Sequence, residues 1–215
     1  ALTSAVIGRG MTTIPEGMFA YCESLTDLTI PDTVTSIDDM AFCNSGLTSV
    51  TLPDGVTTLG DMVFHGCDNL ASAYLPDSIT SMGTGTFNYC YKLTDVRLPG
   101  LLTAIPIRTL SNCGSLEEVS IPRGVTSIHG SAFESSRNLK TVTIPASVTE
   151  IGAYAFQFCY DLEDVWYGGT LQQWLKLKVG SYNQYLTRAN IHFSEPVAGL
   201  TDVLSNDYYA DAVVW

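Results

Sequence analysis

A leucine followed by alternating apolar and polar residues recurs through most of the chain. The opening leucines are spaced by 22 or 23 residues and are Leu2, Leu25, Leu47, Leu70, Leu93, Leu116, Leu139 and Leu162. In each unit apolar residues lie three and five positions after the leucine, and in most units the residue between them carries a hydroxyl group or a charge, as Thr51 does between Val50 and Leu52. This alternation predicts a short strand with one buried face and one exposed face.

Proline ends most of these predicted strands, because it cannot donate a hydrogen bond to a ladder. It occupies the same place in six units, as Pro31, Pro53, Pro76, Pro99, Pro122 and Pro145. Three more apolar positions follow, such as Val56, Leu59 and Phe64, and they carry the chain around the far side of a coil. One repeat is too short to bury its own apolar side chains, so the repeats are expected to stack as a solenoid.

The unit LxxLxLPxxVxxIxxxAFxxCxxL resembles the BspA-like class of bacterial surface leucine-rich repeats. The resemblance covers residues 1–161 as seven repeats of about 23 residues. It implies a leucine-rich repeat solenoid, α/β or mainly β, wound as a right-handed coil, with a parallel sheet on one face and short helical turns on the other. It also implies display on a cell surface and adhesion to host or bacterial partners.

Residues 162–193 are similar to the closing segment of that family and are expected to form an eighth strand and a C-terminal cap. Thr170 followed by Gln173 predicts a capping box for a short helix through Lys178. The stretch from Ala189 to Phe193 is predicted to be a last strand. Such a cap covers a core that would otherwise be open at the end of the solenoid.

Residues 200–215, LTDVLSNDYYADAVVW, share no pattern with the repeats and follow a predicted linker at 194–199. They resemble the start of an S-layer homology module at Asp202, Val203, Tyr208, Tyr209, Ala210, Ala212, Val213 and Trp215. An ordinary C-terminal segment with a coincidental Tyr-Ala-x-Ala is the alternative. The resemblance implies a truncated anchor whose missing part binds a cell-wall polymer, and so an extracellular, cell-wall-associated place on a Gram-positive-type bacterium.

Composition and charge exclude several classes of function. The chain is 46% hydrophobic, which argues against disorder, and it contains no apolar run of about 18 residues, so no membrane span is predicted. With 22 acidic and 10 basic side chains its net charge is −12, which argues against nucleic acid as a partner.

Small residues recur at one position of the repeat, as Cys22, Cys67, Cys90, Cys113, Ser136 and Cys159. A disulfide framework and a metal ladder are possible interpretations. A structural ladder of small buried residues is favoured, because stacked side chains point the same way and no histidine shares this phase. HExxH, GxSxG, GxxxxGK[ST] and CxxC are all absent from the sequence, so no enzyme, metal or cofactor is predicted.

The outward positions of the predicted strands change from hydroxyl-rich to charged and aromatic along the chain. A ligand face is predicted at Asp27, Tyr74, Asp95, Arg97, Glu118, Asp164 and Trp166. It would bind an extracellular protein or glycan and make the chain a non-enzymatic, adhesin-like interaction module. The alternative is a passive spacer with a solvated face, in which Arg97 pairs with Asp95 or Glu118 and Trp166 packs under the cap.

Overall fold

The computed structural model describes residues 1–194. The segment that resembles an S-layer homology module and all of the predicted linker except Ser194 lie outside the described residues.

Each repeat contributes one strand to each of two faces of the coil. The first face contains β1 (Ser4–Val6), β3 (Asp27–Thr29), β5 (Ser49–Thr51), β7 (Ser72–Tyr74), β9 (Asp95–Arg97), β11 (Glu118–Ser120), β13 (Thr141–Ile144), β15 (Asp164–Tyr167) and β17 (Asn190–Phe193). The second contains β2 (Thr13–Ile14), β4 (Ser36–Ile37), β6 (Thr58–Leu59), β8 (Ser81–Met82), β10 (Ala104–Ile105), β12 (Ser127–Ile128), β14 (Glu150–Ile151) and β16 (Lys178–Val179).

Every strand pair is parallel and keeps the register of the repeat. Val119 lies opposite Val142, and Val142 lies opposite Val165, so each side chain is covered by its counterpart one coil later. All three valines are buried. The predicted leucine-rich repeat solenoid is therefore confirmed, with one apolar core that runs through successive coils.

A column of phenylalanines lies in the centre of this core. Phe19, Phe42, Phe64 and Phe87 stack face to face with ring centroids 5.4 to 5.5 Å apart. Leu110 occupies the equivalent place in the fifth repeat, and the column resumes with Phe133 and Phe156, whose centroids are 4.9 Å apart.

The far side of each of the first seven coils, where short helical turns were predicted, consists of hydrogen-bonded turns without a helix. Two positions in each of the first seven repeats have φ near +60°, which a right-handed helix does not accommodate. Glycine takes three of these positions, and the other residues there are Tyr21, Met40, Asn44, Met62, Tyr89, Arg108, Asn112, Ser131, Ser135, Tyr154 and Phe158.

The fifth repeat interrupts both faces. At the residue after the second strand, the N–H groups of Gly60 and Gly83 donate to the carbonyls of Ile37 and Leu59 in the preceding coil. Pro106 occupies this position in the fifth repeat and has no N–H to donate, so β8 and β10 are not paired. On the first face the ladder is interrupted between β9 and β11, and also between β3 and β5, where the repeat is one residue shorter.

The C-terminal cap consists of α1 (Leu171–Trp174), α2 (Gln184–Arg188) and the last strands of both faces. The predicted capping box is confirmed, because Thr170 and Gln173 exchange both hydrogen bonds. The helix is shorter than predicted and ends at Trp174, since Lys178–Val179 pairs with Glu150–Ile151 as a strand. Neither helix within residues 1–194 is long and apolar enough to cross a membrane.

Candidate ligand-binding face

The exposed side chains of the first face form two rows along the solenoid. We call the first row the residues Ser4, Asp27, Ser49, Ser72, Asp95, Glu118, Thr141, Asp164 and Asn190. We call the second row the residues Val6, Thr29, Thr51, Tyr74, Arg97, Ser120, Thr143, Trp166 and His192. The intervening residues point into the core, so the rows present only outward side chains to a ligand.

Three of the predicted ligand-face residues lie together in the fourth and fifth coils. The hydroxyl of Tyr74 donates a hydrogen bond to the Asp95 carboxylate, and this bond raises the pKa of Tyr74. The Arg97 guanidinium donates to Asp77 at 2.7 Å. The Tyr74 and Arg97 side chains are both exposed, and each is held in place by the carboxylate that accepts its hydrogen bond.

Arg97 does not pair with Asp95 or Glu118, as the alternative of a solvated face proposed, but with Asp77. Asp77, the residue after Pro76, also accepts a hydrogen bond from the Gly100 N–H at 2.9 Å. This bond, together with the charge of Arg97, lowers the pKa of Asp77. In the second to seventh coils, each residue of the second row lies close to the proline corner of its coil, as Arg97 does to Pro99. Arg97 can therefore reach the Asp77 carboxylate on the corner of the preceding coil.

Asp164 and Trp166 form a second group with a residue that the sequence did not single out, His192. The His192 Nε2 atom lies 2.6 Å from a carboxylate oxygen of Asp164, and its ring stacks on the Trp166 indole with centroids 4.1 Å apart. Trp166 contacts the cap through His192 but is 51% exposed, so it is not buried under the cap as the alternative proposed. Its place opposite His192 in the pairing of β15 with β17 fixes the stack.

The other two predicted face residues stand apart from these groups. Asp27 lies in the second coil, and Glu118 lies in the sixth coil next to the interruption of the sheet. Both are exposed, and neither side chain makes an ion pair or hydrogen bond with another described residue.

A groove opens where the sheet is interrupted between β9 and β11. Its volume is about 960 Å³, and its lining includes Asp77, Arg97, Gly100, Ser120, Arg123 and Ser147. The groove is therefore continuous with the second row and contains the ion pair of Arg97 and Asp77.

Each member of the predicted ladder of small residues directly follows a turn residue with positive φ, and all of the members except the half-buried Cys22 are buried. All six cysteines are free thiols. Each buried thiol of the ladder donates to the carbonyl of the core residue in the preceding coil, as Cys67 does to Phe42 at 3.2 Å and Cys90 does to Phe64 at 3.1 Å. Ser136 makes the same bond to Leu110 at 2.6 Å. The position thus selects a small side chain that can donate.

One member of this ladder was missed. Ser45 takes the position in the second repeat and lies 3.3 Å from the Cys67 sulfur. It lies 23 residues after Cys22 and 22 residues before Cys67, so the repeat spacing could have identified it. In the cap, the Asn183 amide oxygen accepts from the Phe156 N–H at 2.9 Å, in the place where the Ala155 carbonyl accepts from the Phe133 N–H one coil earlier.

The buried thiols are expected to be unreactive in the folded chain. Burial raises the pKa of Cys67 to about 11 and that of Cys159 to about 12, and it also raises the pKa of Cys90 and Cys113. Because the thiolate is the reacting species, these four should react with a disulfide reagent at pH 8 at least about a thousandfold more slowly than in urea. Labelling followed by peptide mass spectrometry measures this, and equal rates for any of the four would contradict the prediction.

The described residues contain no group of three or more histidine, cysteine, aspartate or glutamate side chains that could hold a metal ion. The first face instead offers exposed aromatic rings, an arginine and hydroxyl groups, several of them fixed by neighbours. Such an arrangement can bind a ligand by stacking and hydrogen bonding.

Comparison with known proteins gives a family and several structures of the same fold. The sequence profile described as BspA type Leucine rich repeat region (6 copies) matches residues 12–140 and 104–192. No curated protein matches the chain in sequence.

Three solved structures are similar. The leucine rich cell surface protein from Faecalibacterium prausnitzii A2-165 is 28% identical over 82% of this chain and 62% of its own, with a TM-score of 0.52. The T. pallidum leucine rich repeat protein is 28% identical over 74% of this chain and 78% of its own, with a TM-score of 0.69. A leucine-rich repeat protein from Bacteroides ovatus ATCC 8483 is 24% identical over 90% of this chain, with a TM-score of 0.67. This chain spans 62% of the length of the Faecalibacterium structure and 54% of the Bacteroides one.

Proposed function

The chain belongs to the BspA type leucine-rich repeat family, and on that premise we propose that it is a non-enzymatic interaction module displayed on a bacterial cell surface. The similar Faecalibacterium protein is described as a cell surface protein, which supports this location. The finer proposal, attachment to the cell wall of a Gram-positive-type bacterium, rests on the likeness of residues 200–215 to an S-layer homology module.

We propose that the two rows of the first face bind an extracellular protein or glycan, in an adhesin-like role. The observation that carries this proposal is the fixing of exposed aromatic and charged groups on a face of otherwise small side chains. Trp166 is stacked on His192, and Asp95 and Asp77 hold Tyr74 and Arg97. Because these side chains are already ordered, binding loses less conformational entropy than it would on a mobile surface.

A passive spacer is the second candidate. It is supported by the single core shared by all eight coils, which makes the solenoid a rigid rod of about 35–40 Å at the usual spacing between strands. A spacer of this kind needs no ligand on its strand face. The two candidates differ in one measurable property, which is whether the folded chain binds anything through the two rows.

Binding of the full chain to a panel of glycans and extracellular-matrix proteins separates the candidates. We expect at least one member to bind, and we expect the triple variant Tyr74→Ala, Arg97→Ala and Trp166→Ala to lose about tenfold or more in affinity, since aromatic and arginine anchors usually carry much of the binding energy. Biolayer interferometry measures the affinity.

The matched control replaces two aromatic residues and one arginine on the turn side, with Tyr21→Ala, Arg108→Ala and Tyr160→Ala. It should bind like the wild-type chain, and circular dichroism should show that both variants are folded. If the folded wild-type chain binds no member of the panel, the spacer is favoured. If the turn-side variant alone loses affinity, the ligand-binding face has been assigned wrongly.

A further inference from the structure

We infer that the ligand of the first face is a glycan that carries carboxylate groups, bound along the second row from Arg97 to Trp166 with Arg97 and Arg123 as its anion contacts. This inference names the ligand class of the proposed binding face and rests on that proposal.

The groove at the interruption between β9 and β11 offers the ligand a recessed binding site on the first face. The ladder is interrupted there, and the hollow of about 960 Å³ is bordered by the ends of both strands and by the proline corners that follow them. The neighbouring pairs β7 with β9 and β11 with β13 are in regular register. The groove runs along the corners from Asp77 to Gly168, and the interruption between β9 and β11 is the irregular part of it, which the repeat itself does not require.

The charge of the corner position reverses at this groove. The residue after the corner proline is Asp32, Asp54 and Asp77 in the second to fourth repeats, then Gly100, and then Arg123. The groove lining contains two arginines and one aspartate, whereas the whole chain has a net charge of −12. The groove is therefore a positively charged site on an acidic protein, and its charge stabilises a bound anion.

Both arginines keep donors for a ligand. Arg97 donates one hydrogen bond to Asp77 at 2.7 Å, and a guanidinium has five N–H donors in all. Arg123 is exposed, and within residues 1–194 it has no carboxylate at ion-pair distance. Arginine binds carboxylates through two parallel hydrogen bonds, so this pair suits a carboxylate better than a neutral hydroxyl group.

Gly100 leaves the space between the two arginines open. A Cβ atom at this position would lie 2.9 Å from a carboxylate oxygen of Asp77. With glycine there, Asp77 instead accepts the Gly100 N–H and stays close to the corner. Asp77 is thereby held beside Arg97. Along the corner positions Gly100 lies between Asp77 and Arg123, so Asp77 is one coil away from the neighbour of Arg123.

The second row from the groove to Trp166 matches a sugar chain better than a peptide. Ser120 and Thr143 present exposed hydroxyl groups, and Trp166 follows them one strand later. His192 covers one face of the indole, which leaves the opposite face on the side of Thr143. Protein interfaces usually have an apolar centre, and the outward positions of β11 and β13 carry no large apolar side chain.

The acidic groups of the first row restrict where a carboxylate can lie. Asp95 and Asp164 are engaged by Tyr74 and His192, while Glu118 is exposed beside the groove. Glu118 repels an anion placed on the first row. The carboxylates of a bound glycan are therefore confined to the arginine side of the face, about 14 Å or less from Trp166 if adjacent strands are about 4.8 Å apart.

Isothermal titration of the full chain with trigalacturonate tests the inference, with the methyl ester of the same trisaccharide as the neutral control and poly-L-glutamate as the acidic peptide. We expect the acid form to bind about tenfold or more tightly than its ester and to bind less tightly as salt is raised. We also expect the double variant Arg97→Gln and Arg123→Gln to lose about tenfold or more. The variant Arg108→Gln and Arg137→Gln, with the same change in net charge on the turn side, should bind like the wild-type chain.

Three outcomes overturn the inference: equal affinity for the ester, equal losses in the two double variants, and tighter binding of poly-L-glutamate than of the trisaccharide. The proposed function can fail separately. If a neutral glycan or a matrix protein binds through Tyr74 and Trp166 while trigalacturonate does not, the binding face is retained and only the ligand class is wrong. If the folded chain binds neither these probes nor the panel, both are wrong.

Discussion

Replacing Phe64 with alanine is expected to lower the free energy of unfolding by about 3–5 kcal/mol, the usual cost of removing a buried phenylalanine ring. Phe64 is fully buried and stacks between Phe42 and Phe87, with centroid distances of 5.4 and 5.5 Å. Removal of its ring therefore leaves a cavity that faces two coils at once. Urea unfolding followed by circular dichroism gives the difference in unfolding free energy.

The matched control is Phe158→Ala, which removes the same ring from a half-buried position on the turn side. It should lower the free energy of unfolding by clearly less than Phe64→Ala does. Equal losses in the two variants, or a loss below about 1 kcal/mol for Phe64→Ala, would show that the phenylalanine column does not join the coils into one core.

Replacing Asn183 with leucine is expected to destabilise the chain by at least about 2 kcal/mol, because it leaves buried backbone groups without partners. The Asn183 amide accepts from the Phe156 N–H at 2.9 Å and donates to the carbonyls of Gly152 and Gly180 at 2.9 and 2.8 Å. Leucine has a similar volume, so the cost comes from the lost hydrogen bonds rather than from a cavity. The change in melting temperature by calorimetry and the urea midpoint measure it.

The exposed Asn190 on β17 provides the control, and Asn190→Leu should change the free energy of unfolding by less than about 0.5 kcal/mol. Hydrogen exchange adds a positional readout. In Asn183→Leu the amide of Phe156 should lose protection, whereas amides in the first three coils should not. Unchanged protection at Phe156 would mean that Asn183 does not satisfy that group.

The core could be predicted from the sequence because equivalent residues of successive repeats lie in the same environment. Leu47, Val50 and Leu52 recur with so little change that their burial and their register follow from periodicity alone. The same reasoning failed where a coil departs from the repeat. Pro106 is visible in the sequence, but its effect depends on a hydrogen bond to the preceding coil that only the fold reveals.

The candidate face was predictable only in outline. Alternation along the strand identified the outward positions, including Tyr74, Arg97 and Trp166. The contacts between these residues depend on the position of the functional group at the tip of each long side chain, whereas the sequence pattern indicates only the position of the backbone. Arg97 therefore contacts Asp77 at the corner instead of the acidic residues on its own face. Trp166 stacks on His192 of the paired strand, and the irregular length of the eighth coil prevents the repeat spacing from predicting that pair.

The far side of the coil shows a second limit. Tyr21, Met40 and Tyr154 adopt a positive φ at positions where other repeats have glycine. Sequence rules assign this backbone to glycine or asparagine, so an aromatic or a methionine at such a place indicates a helix or a strand instead. Hydrogen bonds from one turn to the next hold these residues in place, and such long-range support is not visible in a local pattern.

Chemical-shift mapping tests the central claim, that the strand face and not the turn side of the solenoid binds the ligand. The measurement is a titration of the assigned amide NMR spectrum of the full chain with the tightest-binding member of the glycan and matrix-protein panel. The account predicts that the largest shift changes lie in β7, β9, β11, β13 and β15 and at the Trp166 indole. Changes confined to the turns around Arg108, Tyr154 and Tyr160, with those strands unaffected, would contradict it.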